Sequence, residues 1–333
     1  MNEQIFVSGK NIPEIIPNLE LWGGPIALYL FFGGLAAGII FFANYFYLRG
    51  RSNTMVMTIK VAPIIAPIII AIGLILLVAD LNHKLYFWQL FLHIRMNSPM
   101  SWGAWTLTVI MIPAIVWPLY YLPESIEYIK QRAPKSKLIG LFSWINNFVR
   151  QFKIILWIFK VFEKNQKLIA YLTLYLSVIL GVYTGILLSA FNARPLWNTA
   201  ILGPLFLTSG ISTGAALLIW LSNDHKEIKK FSRLDLFLIA VELFFIIHMF
   251  MGMKAGSIAQ VEAGLLFLGG PYTAVFWVTV VGLGLIFPAI LEIMELGGLK
   301  ISVWIPAFLV LMGGLAFRFI MVSAGQFSSY HII

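Results

Sequence analysis

The 333-residue chain is 60% hydrophobic and only 11% charged, with a mean hydropathy of +0.89. A soluble domain of this length cannot hide so much apolar surface, so the composition indicates a polytopic membrane protein. The absence of cysteine excludes disulfides, thiolate-held iron–sulfur clusters and covalent haem c. The net charge of +9 is gathered in a few loops rather than in a nucleic-acid-binding patch.

Eight apolar runs approach the ~20 residues that a bilayer demands. They lie near Pro25–Leu48, Val61–Ala79, Trp102–Leu122, Leu168–Phe191, Ala200–Ser222, Leu236–Met253, Tyr272–Leu291 and Ile301–Ala324. In lipid every backbone polar group needs an internal partner, so all eight are expected as helices. The expected fold class is an all-α polytopic bundle forming one domain over residues 1–333. No basic patch followed by an apolar core precedes the first run, so no cleavable signal peptide is expected. Of the 23 Lys and Arg, 17 fall in the loops after the first, third, fifth and seventh runs. Five fall in the N-terminus and the alternate loops, and Arg318 lies inside the last run. The positive-inside bias therefore predicts both termini outside the cytoplasm.

Residues 138–164 form an amphipathic segment. Phe142, Ile145, Phe148, Phe152, Ile155 and Phe159 recur at helical spacing, and Asn146, Asn147, Arg150, Gln151 and Lys153 take the other side. As a ninth span it would bury Arg150 and Lys153 at ~3 kcal/mol each. A helix along the cytoplasmic surface avoids that cost and is the reading adopted.

Candidate chemistry starts from what is missing. Five histidines are present, His83, His93, His225, His248 and His331. Only His248 lies well inside a span, so no facing pair is available to ligate a b-type haem. The segment Arg95–Trp105 sits where a polar loop meets an apolar run. Trp102 and Trp105 suit that interface, Ser98-Pro99 ends an extended stretch, and Ser101 is expected to cap the next helix. Polar groups near the predicted outer face are Asn18, Trp22, Asp80, His83, Arg194 and Asn198, with Tyr183 about two turns inside the fourth helix. Each also has a plain structural reading. Tyr183 can pack, Asn18 can cap a turn, and Trp22 and Trp197 can anchor at the interface. Asp80 can pair with Arg95 or Arg194, and Gly33, Gly34 and Gly38 can let helices approach closely. Glu242, His248, Glu292 and Arg318 are ionisable groups at or within spans, where charge is costly and functional by default. Two readings stand for them. One is a proton path through Asp235, Glu242 and Asp80, with His248 and Arg318 as further candidates. The other, preferred, is a buried Glu242–Arg318 pair locking two helices.

Six motifs in chain order resemble the signatures of the NrfD family of polysulfide-reductase-type membrane subunits. They are Tyr29-Leu30-Phe31-Phe32-Gly33-Gly34-Leu35-Ala36-Ala37-Gly38, the Arg95–Trp105 stretch, Tyr183-Thr184-Gly185-Ile186-Leu187-Leu188-Ser189, Pro195-Leu196-Trp197-Asn198, Ser212-Thr213-Gly214-Ala215-Ala216 and Ala324-Gly325-Gln326. The resemblance implies a membrane subunit that binds a quinone, menaquinone or ubiquinone, near the outer face. It also implies an adjacent ferredoxin-like iron–sulfur subunit, a catalytic subunit often of the molybdopterin type, and a bacterial or archaeal cytoplasmic membrane. Polysulfide, thiosulfate, tetrathionate, sulfite, nitrite and arsenate systems are within its range. It points to Tyr183, at the Tyr-Thr-Gly position, and to Asn18 as quinone contacts. Leu21 stands where a polar ligand is expected. Trp22 and Arg194 complete the candidate quinone site, and Asp80 is the candidate proton acceptor beside Tyr183. An ion or proton transporter is the rival class, supported by the intramembrane ionisable groups and the Gly- and Pro-rich helices. A purely structural anchor is the third.

Overall fold

The computed structural model describes residues 22–81, 83–92, 95, 97–299 and 301–328. Asn18, His93 and His331 lie outside the described residues. Among the described residues there is no strand, and eight helices are long and apolar enough to cross a membrane. These are α1 (Gly24–Leu48), α2 (Met57–Asp80), α3 (Pro99–Tyr120), α7 (Gln166–Ser189), α8 (Leu202–Leu221), α9 (His225–Lys254), α11 (Thr273–Leu296) and α12 (Trp304–Phe327). Between them lie α4 (Leu122–Arg132), α5 (Lys137–Val149), α6 (Lys153–Lys164) and α10 (Ile258–Leu265).

The spans pack as two groups of four. In the first, α1 contacts α2 and α7, and α3 contacts α2 and α7. In the second, α8 contacts α9 and α12, and α11 contacts both of those. The groups meet along α1 and α8, which are the most completely buried spans. Their closeness follows from glycine. A Cβ on Gly38 would lie 2.5 Å from the carbonyl oxygen of Gly210 and 2.9 Å from Cα of Gly214, so only bare backbone fits this crossing. The close-packing reading of Gly38 is therefore the one the structure supports.

Helix ends depart from the hydropathy reading for identifiable reasons. Pro99 occupies the first turn of α3, where its missing N–H costs nothing. Ser101 is thus inside the helix and is not its cap; its hydroxyl accepts the Arg95 N–H at 3.1 Å. Helix α9 begins eleven residues before the expected Leu236, because Asp224 caps it by accepting the Lys226 N–H at 3.0 Å. A hydropathy window misses such polar turns. The segment expected as one amphipathic helix is two, α5 and α6, of 13 and 12 residues, broken over 150–152. Phe152 is extended at the break, and neither piece can span a bilayer.

Proline shapes α2. Pro63 has no N–H to offer the carbonyl of Ile59, four residues back. The Trp117 indole of α3 donates to that carbonyl at 2.9 Å, and the Ser125 hydroxyl donates to the carbonyl of Lys60 at 2.8 Å. The same turn is π-helical over Met57–Val61, and Lys60 pairs with Glu124. Trp117→Phe strands a buried carbonyl while keeping an aromatic ring. It should cost about 1–3 kcal/mol, read as a lowered melting temperature of the purified protein.

Candidate functional site

Tyr183 is set by a glycine on the facing helix. A Cβ on Gly103 would sit 1.9 Å from Tyr183 Cζ and 2.0 Å from its hydroxyl, so the phenol lies directly on the bare backbone of α3. Tyr29 of α1 closes the other side, and the two phenols share a hydrogen bond. Both rings are buried. Together they cap a slot of roughly 100 Å³ between α1, α2, α3 and α7. The rest of its wall is apolar, with Leu77, Val78, Met100, Leu107 and Leu187 prominent. The slot adjoins a groove of about 250 Å³ through Leu74 and Leu107, which line both. That groove runs down α3 past Met111, Ile112 and Ile115. The lining suits an apolar ligand, with the two phenol hydroxyls as the polar groups of the wall.

Other sequence-derived candidates sit elsewhere. Asp80 ends α2 one residue before Leu81, which lines the slot, and its carboxylate lies near Gly23 at the start of α1. Trp22 and Arg194 do not line the slot. Trp22 is buried against Phe191 and Trp197, with ring centroids 4.5 and 5.5 Å apart. The Gln326 side-chain amide grips its backbone from both sides, accepting the Trp22 N–H at 2.9 Å and donating to the Trp22 carbonyl at 2.7 Å. Arg194 donates to the Ser328 carbonyl at 3.0 Å. Trp197 is fully buried over Gly325 and donates to the Met321 carbonyl at 2.8 Å. The interfacial-anchor reading therefore fails for Trp22 and Trp197: these rings fasten the end of α12 to the start of α1. Trp102, in contrast, is more than half exposed. Neither Asp80–Arg95 nor Asp80–Arg194 forms an ion pair; among the described residues the pair found is Lys60–Glu124.

The second helix group holds a separate polar cluster. Asp235, Glu242, Glu292 and Arg318 are all buried. Asp235 accepts from the Ser212 hydroxyl at 2.6 Å, and its carboxyl lies within hydrogen-bond reach of the Glu292 carboxyl. Glu295, a turn further along α11, accepts from Ser232 at 3.2 Å. Arg318 donates to the Ser209 hydroxyl and to the carbonyls of Gly314 (3.0 Å) and Phe206 (3.2 Å). Glu242 feels the charge of Arg318 and bonds with Ser209 rather than meeting the guanidinium directly. The expected direct pair is thus a bridged one. His248 faces outward and its ring nitrogen bonds the Phe244 carbonyl at 2.8 Å, away from this cluster. Asp80 belongs to the other helix group, so the structure does not join it to Asp235 and Glu242.

Sequence reasoning passes over Tyr29 and Gly103 as site residues, although both lie inside family motifs. The available signal is the spacing of small residues opposite a tyrosine, which becomes legible only once α3 and α7 are known to face each other.

Fold and site together define a multi-pass, all-helical membrane protein with a small apolar slot capped by two tyrosines. The profile of the family described as "Polysulphide reductase, NrfD" matches residues 16–328. The chain belongs to the NrfD family. It is 34% identical over 323 residues to one chain of the polysulfide reductase of Wolinella succinogenes, an alignment that takes in 93% of this protein and 95% of that one. It is 32% identical over 325 residues to protein NrfD of Escherichia coli, covering 92% and 95%. A selenate reductase subunit of Mesobacillus selenatarsenatis is 25% identical, over 90% of this protein and 73% of that one.

Proposed function

We propose that this chain is the quinone-reactive membrane subunit of a respiratory reductase complex. It exchanges electrons between the quinone pool and an extracytoplasmic iron–sulfur subunit, which serves a catalytic subunit of the molybdopterin type. Two relatives are named as parts of a polysulfide and a selenate reductase, which supports membership of such a complex. The observation that carries the quinone reading is the phenol of Tyr183 lining an apolar slot of roughly 100 Å³ that adjoins an apolar groove of about 250 Å³ along α3. A quinone supplies two-electron, two-proton chemistry when bound. The protein's part is to hold one carbonyl by the Tyr183 hydroxyl, exclude water with the apolar wall, and offer Asp80 beside the slot as a proton acceptor.

An azido-quinone should label peptides spanning residues 74–81, 100–107 and 183–187. Labelling confined to α9 or α12 overturns this site. The transporter reading has one observation in its favour, the buried carboxylates Asp235, Glu242 and Glu292. It requires ion or proton flux through this protein alone in liposomes, without a reductase partner. The charge bias further supports both termini lying outside the cytoplasm. Reporter fusions at Lys135 and Lys226 should then read cytoplasmic and one at Glu262 external, and reversed readings would place the iron–sulfur partner on the wrong face.

A further inference from the structure

Another cavity lies at the opposite end of α3 from the tyrosine slot. Open to the surface, it has a volume of about 420 Å³ where α3 runs into α4 and the end of α5 meets α6. One side is apolar, with Leu156 and Phe159, and the mouth carries Arg150, Lys160, Glu124 and Glu163. The carboxylate of Glu124 already has a cation, Lys60. The mouth therefore holds two cations and one carboxylate not neutralised in this way. Asn146 takes only the Nε–H of Arg150, at 2.8 Å. A guanidinium has four further N–H donors. The Phe159 ring, 5.6 Å from the guanidinium carbon, helps to fix its place.

The surroundings specify what comes to this mouth. Residues 137–167 carry six Lys and Arg against one acid, Glu163. The same stretch exposes Leu138, Leu141, Trp144, Phe148, Ile154 and Trp157. Basic side chains beside a row of exposed apolar and indole groups suit an interfacial helix, with hydrocarbon on one side and phosphate on the other. The cavity is at the end of a span, which is the depth of lipid headgroups.

We infer that the cavity between α3, α4 and α6 is a binding site for one anionic glycerophospholipid. Its phosphodiester sits between Arg150 and Lys160, a headgroup hydroxyl donates to Glu163, and an acyl tail lies over Leu156 and Phe159. Charge selects the lipid: a net positive mouth in a stretch with five excess positive charges favours a monoanionic headgroup over a zwitterionic one. The consequence for the fold is that a lipid molecule adds to the hold on α6, whose Phe159 and Phe162 already pack on Tyr120 and Trp117.

The test is native mass spectrometry of the full-length protein extracted from bilayers of phosphatidylglycerol and phosphatidylcholine. One retained phosphatidylglycerol is expected, with phosphatidylcholine held roughly tenfold or more less well. The R150Q/K160Q double variant should lose that preference. Both positions are exposed, so folding should survive, and an unchanged melting temperature in detergent confirms it. Excess inorganic phosphate should not displace the lipid, since it lacks the acyl tail. Equal retention of the two lipids, or undiminished phosphatidylglycerol in the double variant, overturns the proposal. Displacement by phosphate alone would show an anion site without lipid specificity and equally overturns it.

Discussion

On the proposed quinone reading, Tyr183→Phe is expected to lower quinol-linked turnover of the assembled complex by about tenfold to a hundredfold and to leave assembly intact. The ring remains on Gly103, so packing is preserved. The expected loss is one hydroxyl donor to a quinone oxygen that would gain negative charge on reduction. A hydrogen bond to a charged group is worth about 1.5–3 kcal/mol, which converts to that range of rate. Activity of the catalytic subunit with an artificial dye should be unchanged, because the dye bypasses the membrane site. Gly103→Ala attacks the same group from behind. Its Cβ would occupy the Tyr183 phenol, so the ring must leave the slot, with overpacking of about 1–3 kcal/mol in addition. The two variants should therefore fail together, Gly103→Ala also losing thermal stability. Full quinol turnover in Tyr183→Phe would reduce the tyrosine to core packing.

What the sequence makes legible follows a physical division. Span number and type depend on apolar length, which lipid enforces residue by residue, so all eight spans can be read from the chain. Their ends depend on caps and prolines whose partners are remote. Ser101 resembles a cap but sits within α3, and α9 extends into polar sequence because Asp224 holds its first turn. The amphipathic period over 138–164 is visible in sequence, yet the break that separates α5 from α6 is not. Roles that rest on long-range pairing are the least legible. Trp22 and Trp197 have the composition of interfacial anchors, and only the fold reveals that Gln326 and Gly325, near the far end of the chain, make them core. Tyr183 stands out because a motif marks it, while Tyr29, its partner from α1, is hidden by 154 positions of separation.

Arg318→Met should be the most destabilising single change, by about 3–5 kcal/mol. Arg318 is fully buried and binds the Ser209 hydroxyl and the carbonyls of Gly314 and Phe206, tying α12 to α8. One of its terminal nitrogens also abuts Gly34 of α1, at 3.2 Å from where a Cβ would stand. Methionine fills much of the space but leaves Glu242 buried without its counter-charge. Glu242→Gln should cost less, since Arg318 keeps its three acceptors. The double variant Arg318→Met/Glu242→Gln separates the two readings of this cluster. Removing both charges should restore much of the stability, because a buried pair replaced by groups of similar volume is often nearly neutral. If the cluster is only a lock, quinol turnover should return with stability, as measured in the assembled complex. A double variant that melts near the wild-type temperature but turns over slowly would instead assign the Glu242–Arg318 pair to proton transfer. Equal stability of Arg318→Met and the double variant would mean that Glu242 does not depend on Arg318, and the bridged pair would lose its place in the fold.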